Sequence, residues 1–168
     1  VVAIDPAASS TEKADETGIV VAGLGVDGRG YLLNDQSLRG KPIEWARKAI
    51  QLYRDHRGDR IVAEVNNGGE MVENTIRMVD NTVPFRAVHA TRGKALRAEP
   101  ISALYARGMI SHVGAFPELE DQLCAFTSDY DRARNGSPDR LDALVWAFTD
   151  LMLGIVAETK TKTVVGMY

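Results

Sequence analysis

The 168-residue chain has the length of one ordinary domain, enough to bury a substantial core. Its composition, 45% hydrophobic and 26% charged, is typical of a soluble globular protein and contains no apolar run long enough for a membrane span. A net charge of −3 does not by itself indicate a nucleic-acid-binding protein. The segment over residues 86–107 is nevertheless locally basic, as expected if acids and cations gather in separate places.

The two ends of the chain and its cysteine content bear on its cellular setting. No secretory leader precedes the first strand, so we expect a protein of the cytoplasm of the producing cell. A start without methionine suggests a piece of a longer protein. The single cysteine, Cys124, excludes an internal disulfide and a cysteine-rich zinc site. Its apolar neighbours Leu123 and Phe126 predict a buried core thiol.

The first half of the chain predicts a three-strand antiparallel meander followed by a helix and a fourth strand. Strands are expected over residues 1–5, 18–26, 31–38 and 60–65, and a helix over residues 42–58. The sequence DGRG at residues 27–30 is typical of a hairpin turn between the second and third strands. Pro42 suits the first turn of the helix.

The second half alternates helices with short strands. The expected elements are a helix with Val72, Ile76 and Val79 on one face, a strand over 85–90, a helix over 94–107 broken near Pro100, a short strand or extended link over 109–113, and a helix over 117–126. The last helix is predicted with Ser137 as its cap and Pro138 in its first position. Its buried stripe is Leu141, Leu144, Val145, Phe148 and Met152. We expect a frayed tail over 155–168.

These elements predict one α/β domain over residues 1–154. A meander followed by alternating helices and strands forms one mixed central sheet with helices on both faces. Carboxylates on its apolar strands are the informative feature. Asp5 ends the first strand and Glu64 lies in the fourth, where a charge is costly unless it is paired or bound to a metal. Alternatively, either acid lies at a solvent-facing strand end.

A third group of acids begins the last helix. Asp139 and Asp142 are three residues apart and therefore share a face. Asp139 also suits a helix N-terminus electrostatically, and a salt bridge to Arg140 is the alternative interpretation of Asp142. If these acids meet Asp5 and Glu64, their oxygens suit Mg²⁺ or Mn²⁺. Two such ions can promote phosphodiester hydrolysis.

Basic and amide side chains supply candidate phosphate contacts. Arg92, Lys94 and Arg97 either form a solvated helix face or contact DNA phosphates without reading sequence. Asn66 and Asn67 precede two glycines, which favours an ordinary turn over a functional role. The two tryptophans, Trp45 and Trp146, both fall in predicted helices and are interpreted as packing residues.

Five short stretches occur in the order found in one protein family. They are residues 4–6 (IDP), 14–20 (ADETGIV), 62–69 (VAEVNNGG), 92–100 (RGKALRAEP) and 137–143 (SPDRLDA). The chain thus resembles the C-terminal nuclease domain of the large terminase subunit of tailed phages and gene-transfer particles. The resemblance implies an RNase H-like fold, with Asp5, Glu64 and Asp142 at the catalytic metals and Asp139 as a further ligand. Asp15 lies in a matched stretch, and a structural role at its turn is favoured.

The same resemblance implies an activity and partners. The activity is cleavage of concatemeric double-stranded DNA during viral genome packaging, with two Mg²⁺ or Mn²⁺ ions. The partners are DNA, an N-terminal ATPase domain of the same protein, the portal and the small terminase subunit, with no membrane partner. The sequence has no GxxxxGK[ST] motif, so we expect no ATP hydrolysis by this chain.

Three other interpretations stay open at this point. A junction resolvase or an RNA–DNA hybrid nuclease would carry a similar acidic cluster and differ in substrate. A non-catalytic docking module of the motor would bind no metal. An actin-like nucleotide-binding half would need glycine-rich phosphate-binding hairpins near Asp5, and the sequence after Pro6 is a poor candidate.

Overall fold

The structure, a computed structural model, describes residues 1–7, 16–66, 70–127 and 129–154. The strands are β1 (Val2–Asp5), β2 (Gly18–Leu24), β3 (Gly30–Asp35), β4 (Ile61–Glu64), β5 (Phe85–Val88) and β6 (Ile110–His112). The helices are α1 (Pro42–Asp55), α2 (Glu70–Val79), α3 (Lys94–Ala106), α4 (Pro117–Ala125), α5 (Arg132–Asn135) and α6 (Asp139–Phe148), which continues as a π-helical turn over Thr149–Leu153. The predicted tail, residues 155–168, lies outside the described residues.

The strands form one six-stranded mixed sheet in the order β5-β4-β1-β2-β3-β6. The first three strands pair antiparallel, which confirms the predicted meander. β4 lies parallel to β1 and β5 parallel to β4, while β6 extends the other edge parallel to β3. The parallel pairing of β1 and β4 matters most for the site, because it places their carboxyl ends side by side.

Alternating side chains of the sheet supply two separate cores. Val2 and Ile4 of β1 point to the face covered by α1 and α2. Val1 and Ala3 point to the opposite face, where α3, α4 and α6 pack. Helices therefore cover both faces, as predicted. Phe148 of α6 is fully buried in this second core, and burial of one such side chain stabilises the fold by about 2–3 kcal/mol.

The N-terminal end of α6 approaches the sheet closely at Gly18. A Cβ atom on Gly18 would overlap the backbone carbonyl of Asp139 and would lie 3.1 Å from Ala143 Cβ. Gly18 is also the cross-strand partner of Asp5. The glycine therefore allows the start of α6 to rest beside the end of β1.

The predicted break near Pro100 is wrong, because α3 runs without interruption over Lys94–Ala106. A proline inside a helix removes a hydrogen bond to the carbonyl four residues earlier, here that of Leu96. Leu96 and Pro100 are both exposed. The missing bond thus falls on the solvent side, while Ile101 and Leu104 stay buried.

Two further expectations are corrected. α6 begins at Asp139 with Pro138 as its N-cap, so the predicted cap at Ser137 is one residue early; the Ser137 hydroxyl donates to the Asp139 carboxylate instead. Cys124 is exposed rather than buried. α4 buries Leu119, and a residue five positions later, such as Cys124, is rotated by about 140° around the helix and so points away from the core.

In the described part of the chain, no helix is long and apolar enough to cross a membrane.

Candidate active site

The sheet register brings two of the predicted acids together. Asp5 ends β1 and Glu64 ends β4, and these strands are parallel neighbours. Asp5 lies on the same face as Ala3, and Glu64 lies on the same face as Val62, because side chains alternate along a strand. Ala3 and Val62 both belong to the core beneath α6. Both carboxylates therefore point toward α6 at one edge of the sheet.

The first turn of α6 adds the other two acids. Asp139 and Asp142 are 5% and 1% exposed, so both are buried carboxylates rather than members of a solvated helix end. Arg140, the alternative partner considered for Asp142, points elsewhere. Its guanidinium contacts Glu16 at 2.8 Å and Asp35 at 2.6 Å. The interpretation of Asp142 as an Arg140 salt-bridge partner is therefore wrong.

A single ammonium group marks the point on which three of the acids converge. Lys94 begins α3, and its Nζ atom lies 3.7 Å from Asp5 Oδ2 and 4.0 Å from Asp139 Oδ1. The same Nζ forms an ion pair with Asp142 Oδ2. Because one cation reaches three carboxylates, these acids surround a common position.

Glu64 is held by a different pair of side chains. Trp146 donates its indole N–H to Glu64 Oε2 at 2.9 Å. Arg97 Nη2 lies 3.5 Å from the same oxygen and 3.2 Å from Asp142 Oδ1. The Arg97 guanidinium also lies over the Trp146 ring, 5.0 Å from its centroid. Arg97 thereby links the strand acid Glu64 to the helix acid Asp142.

The electrostatics of the cluster reflect an excess of negative charge. Burial and the nearby charges of Asp142, Asp139 and Glu64 raise the pKa of Asp5 well above its usual range, although Lys94 opposes them. Burial lowers the pKa of Lys94, but the carboxylates of Asp5 and Asp142 outweigh it and raise that pKa overall. Four carboxylates thus face two cationic side chains.

The donor chemistry of this cluster fits a hard divalent cation. Its ligands are all carboxylate oxygens, the type that Mg²⁺ and Mn²⁺ prefer. As the side chains stand, no group of three or more acids, cysteines or histidines among the described residues is close enough to hold a metal ion. The Lys94 ammonium lies between the acids and acts as a stand-in for such an ion. Metal binding there requires Lys94 to withdraw, and its side chain is 35% exposed.

The predicted DNA-contacting residues fall into two groups. Lys94 and Arg97 lie within the acidic cluster, and the Arg97 side chain is only 12% exposed. They do not form the solvated helix face considered as an alternative. Arg92 is exposed beside the cluster, where its carbonyl accepts a hydrogen bond from Arg97. Contact of these residues with DNA stays a prediction.

Of the three polar residues predicted to lie in turns, the structure describes only Asn66. Asn66 exchanges two hydrogen bonds with the backbone of Ala90, at 2.8 and 3.0 Å, and so joins the loops after β4 and β5. This contact supports the structural interpretation of Asn66. Asn67 and Asp15 lie outside the described residues.

Sequence reasoning missed the role of Trp146, which was interpreted as a packing residue. The tryptophan is buried, but its N–H also donates a hydrogen bond to the Glu64 carboxylate. A usable signal was present, since Trp146 follows Asp142 by four residues and therefore shares its helix face. Trp45, in contrast, is buried in the core on the other face of the sheet.

Comparison with solved structures identifies the fold. The large terminase nuclease from thermophilic phage G20c is similar with a TM-score of 0.66 and 14% identity, over 88% of this chain and 80% of that chain. The same phage nuclease with bound zinc gives a TM-score of 0.64 and 13% identity, over 89% and 80%. The yeast mitochondrial Holliday junction resolvase Ydc2 gives 0.51 and 12%, over 87% and 75%. The expected RNase H-like fold is confirmed.

Comparison with sequences is more specific. No curated protein sequence matches the chain. The family model described as the terminase RNaseH-like domain matches residues 2–151, which include all four acids of the cluster. The chain therefore belongs to the terminase RNaseH-like domain family.

Proposed function

We propose that this domain is a divalent-metal-dependent endonuclease that cuts concatemeric double-stranded DNA during viral genome packaging. One observation carries the proposal. In a chain of the terminase RNaseH-like family, carboxylates from β1, β4 and α6 converge on a position held by the Lys94 ammonium. An excess of buried acids at one sheet edge is unfavourable for folding and is explained by a bound cation.

The mechanism assigns the acids to a metal site. Asp5, Glu64 and Asp142, with Asp139 as a further ligand, would hold two Mg²⁺ or Mn²⁺ ions. When bound, the ions supply activation of the attacking water and stabilisation of charge on the leaving oxygen. Hydrolysis breaks the bond between phosphorus and the 3′ oxygen, leaving 5′-phosphate and 3′-hydroxyl ends. The helix and sheet fix the ligands before the substrate arrives, which limits reorganisation.

The substrate assignment depends on the surroundings of the cluster. Arg92 is exposed beside the site and carries a charge suited to backbone phosphates. We expect little sequence preference in cutting, because contacts to backbone phosphates carry no sequence information. The partners proposed from the family are an ATPase domain of the same protein, the portal and the small terminase subunit.

The test compares metals and substrates in one assay. The domain is incubated with linear duplex DNA, a four-way junction and an RNA–DNA hybrid, in Mn²⁺, Mg²⁺ or EDTA. We expect cutting of linear duplex in Mn²⁺ or Mg²⁺ and none in EDTA. Preference for the junction or the hybrid would instead support the resolvase or the hybrid nuclease. Asp5→Asn should abolish cutting, while Asp27→Asn, an exposed acid in the β2–β3 turn, should not.

A non-catalytic docking module predicts a different result. Such a module would bind no Mn²⁺, and its function would survive Asp5→Asn. Absence of both metal binding and cutting in the wild-type domain would therefore contradict the proposed nuclease.

A further inference from the structure

Glu64 differs from the other acids of the cluster in the kind of group that holds it. Lys94 reaches the other three acids as a full positive charge. The group closest to Glu64 is instead neutral: the indole N–H of Trp146 donates to it at 2.9 Å, while the cationic partner Arg97 lies farther away, at 3.5 Å. A neutral donor can orient a carboxylate without competing with a metal ion for its charge.

Trp146 is fixed in place by its neighbours. It lies one turn after Asp142 on α6 and is 5% exposed. The Arg97 guanidinium lies over its ring, and the same side chain donates to the Arg92 carbonyl at 2.7 Å. Because the indole is buried and covered by an anchored guanidinium, its N–H has one direction in which to donate.

The contacts of Glu64 are divided unequally between its two carboxylate oxygens. The hydrogen bonds and the ion pair that Glu64 makes with other described residues all go to Oε2. The other oxygen, Oε1, is left for a ligand. Such a contact to one oxygen fixes the side-chain rotamer and the direction of the remaining lone pairs.

We propose that Trp146 is a positioning residue for Glu64: its N–H holds Oε2 and thereby directs Oε1 toward the metal. This inference rests on the proposed function, since it assumes that Glu64 is a ligand. Trp146 does not touch the metal or the DNA. Its replacement should weaken metal binding and turnover through Glu64 alone, and should leave the affinity for DNA unchanged.

Trp146→Phe removes the N–H and keeps an aromatic ring, and Trp45→Phe is the matched control. The chain has two tryptophans, both buried, and they lie in different cores. We expect Trp146→Phe to weaken Mn²⁺ binding about 10- to 100-fold by calorimetry, the usual effect of losing a group that orients a metal ligand. Trp45→Phe should bind Mn²⁺ like the wild type. In cleavage, Trp146→Phe should lower kcat without raising KM for DNA.

Two further measurements test whether the effect passes through Glu64. In Glu64→Gln, adding Trp146→Phe should cause no further loss of Mn²⁺ affinity, because the ligand it orients is already gone. In Trp45→Phe, the remaining fluorescence comes from Trp146, and Mn²⁺ should quench it. In Trp146→Phe, the fluorescence of Trp45 should not respond to Mn²⁺.

The outcomes separate the inference from the proposed function. Wild-type Mn²⁺ affinity in Trp146→Phe, or equal losses in Trp146→Phe and Trp45→Phe, would overturn the inference and leave the nuclease proposal intact. If the wild type itself bound no Mn²⁺, both would be overturned together.

Discussion

The two ends of β4 carry buried acids in opposite electrostatic situations. Beyond its C-terminal end, four acids face two cations. The cations are Lys94 and Arg97, and the acids are Asp5, Glu64, Asp139 and Asp142. Beside its N-terminal end, one acid, Asp150, faces two arginines. Arg60 and Arg86 each approach the Asp150 carboxylate to 2.6 Å, and its side chain is fully buried.

This difference separates a structural acid from the acids that we propose as metal ligands. Asp150 has more than enough positive charge around it to offset its burial. The acids at the other end are in excess over their cations, and the pKa of Asp5 is raised well above its usual range by burial and by neighbouring carboxylates. An excess of buried carboxylates is unfavourable unless a further cation binds. Both sites lie along α6 and its π-helical continuation, so the contrast can be tested within one element.

The largest expected effect is on catalysis. Asp142→Asn removes a buried carboxylate that meets both Lys94 and Arg97. Since losing a group that merely orients a ligand costs 10- to 100-fold, losing the ligand itself should lower kcat by at least about 100-fold. Single-turnover cleavage of linear duplex measures this. Activity within a few-fold of wild type would remove Asp142 from the site.

Asp150→Asn should have the opposite profile. It leaves Arg60 and Arg86 without their carboxylate, and these arginines are 30% and 38% exposed, so solvent offsets part of the loss. We expect the free energy of unfolding to fall by about 2 kcal/mol, below the range for a fully buried pair. Urea denaturation measures the change. The affinity for Mn²⁺ should not change. A loss of Mn²⁺ affinity comparable to that of Asp142→Asn would show that the acids at the two ends of β4 do not differ in function.

Asp5 should make the metal-free domain less stable as pH rises. Its folded pKa is raised by burial and by Asp142, so folding disfavours the charged form. The domain therefore loses stability as pH rises from the unfolded value of about 3.8 through the folded pKa. Asp5→Asn removes this dependence and should raise the stability of the metal-free domain at pH 7.

The pH prediction is checked by melting wild type and Asp5→Asn in EDTA across pH 4–8. The difference in Tm between the two should grow with pH. A difference that is constant, or that shrinks with rising pH, would show that Asp5 is not destabilised by its surroundings.

A smaller effect is expected at Lys94, whose ammonium takes the place of a metal ion among the acids. Lys94→Met removes this competing charge while keeping the aliphatic part of the side chain. Mn²⁺ should then bind more tightly, by a factor of about 3–10, about 1 kcal/mol. Lys48→Met, on α1 at the opposite face of the sheet, is the control. Weaker Mn²⁺ binding in Lys94→Met would show that the lysine supports the metal rather than replaces it.

The sequence predicted the strands and helices from local periodicity, and it indicated the four acids as candidates because they lie on apolar strands or in the first turn of the last helix. That these acids meet was implied by the family resemblance. Alternation of side chains along β1 and β4 places Asp5 and Glu64 on one face of the sheet. The parallel pairing of the two strands then brings these two carboxylates side by side. The pairing of Lys94 with three acids could not be predicted, because it depends on how α3 packs against α6. The exposure of Cys124 likewise depends on which stripe of α4 meets the core. Sequence periodicity therefore does not predict the contacts between elements that are distant along the chain.

The most direct test is a calorimetric titration of Mn²⁺ into the wild-type domain, Asp142→Asn and Asp150→Asn, followed by cleavage of linear duplex with the same preparations. We predict that the wild type and Asp150→Asn bind Mn²⁺ and cut DNA, and that Asp142→Asn loses both properties while remaining folded. Equal metal binding and cleavage by Asp142→Asn and the wild type would contradict the account.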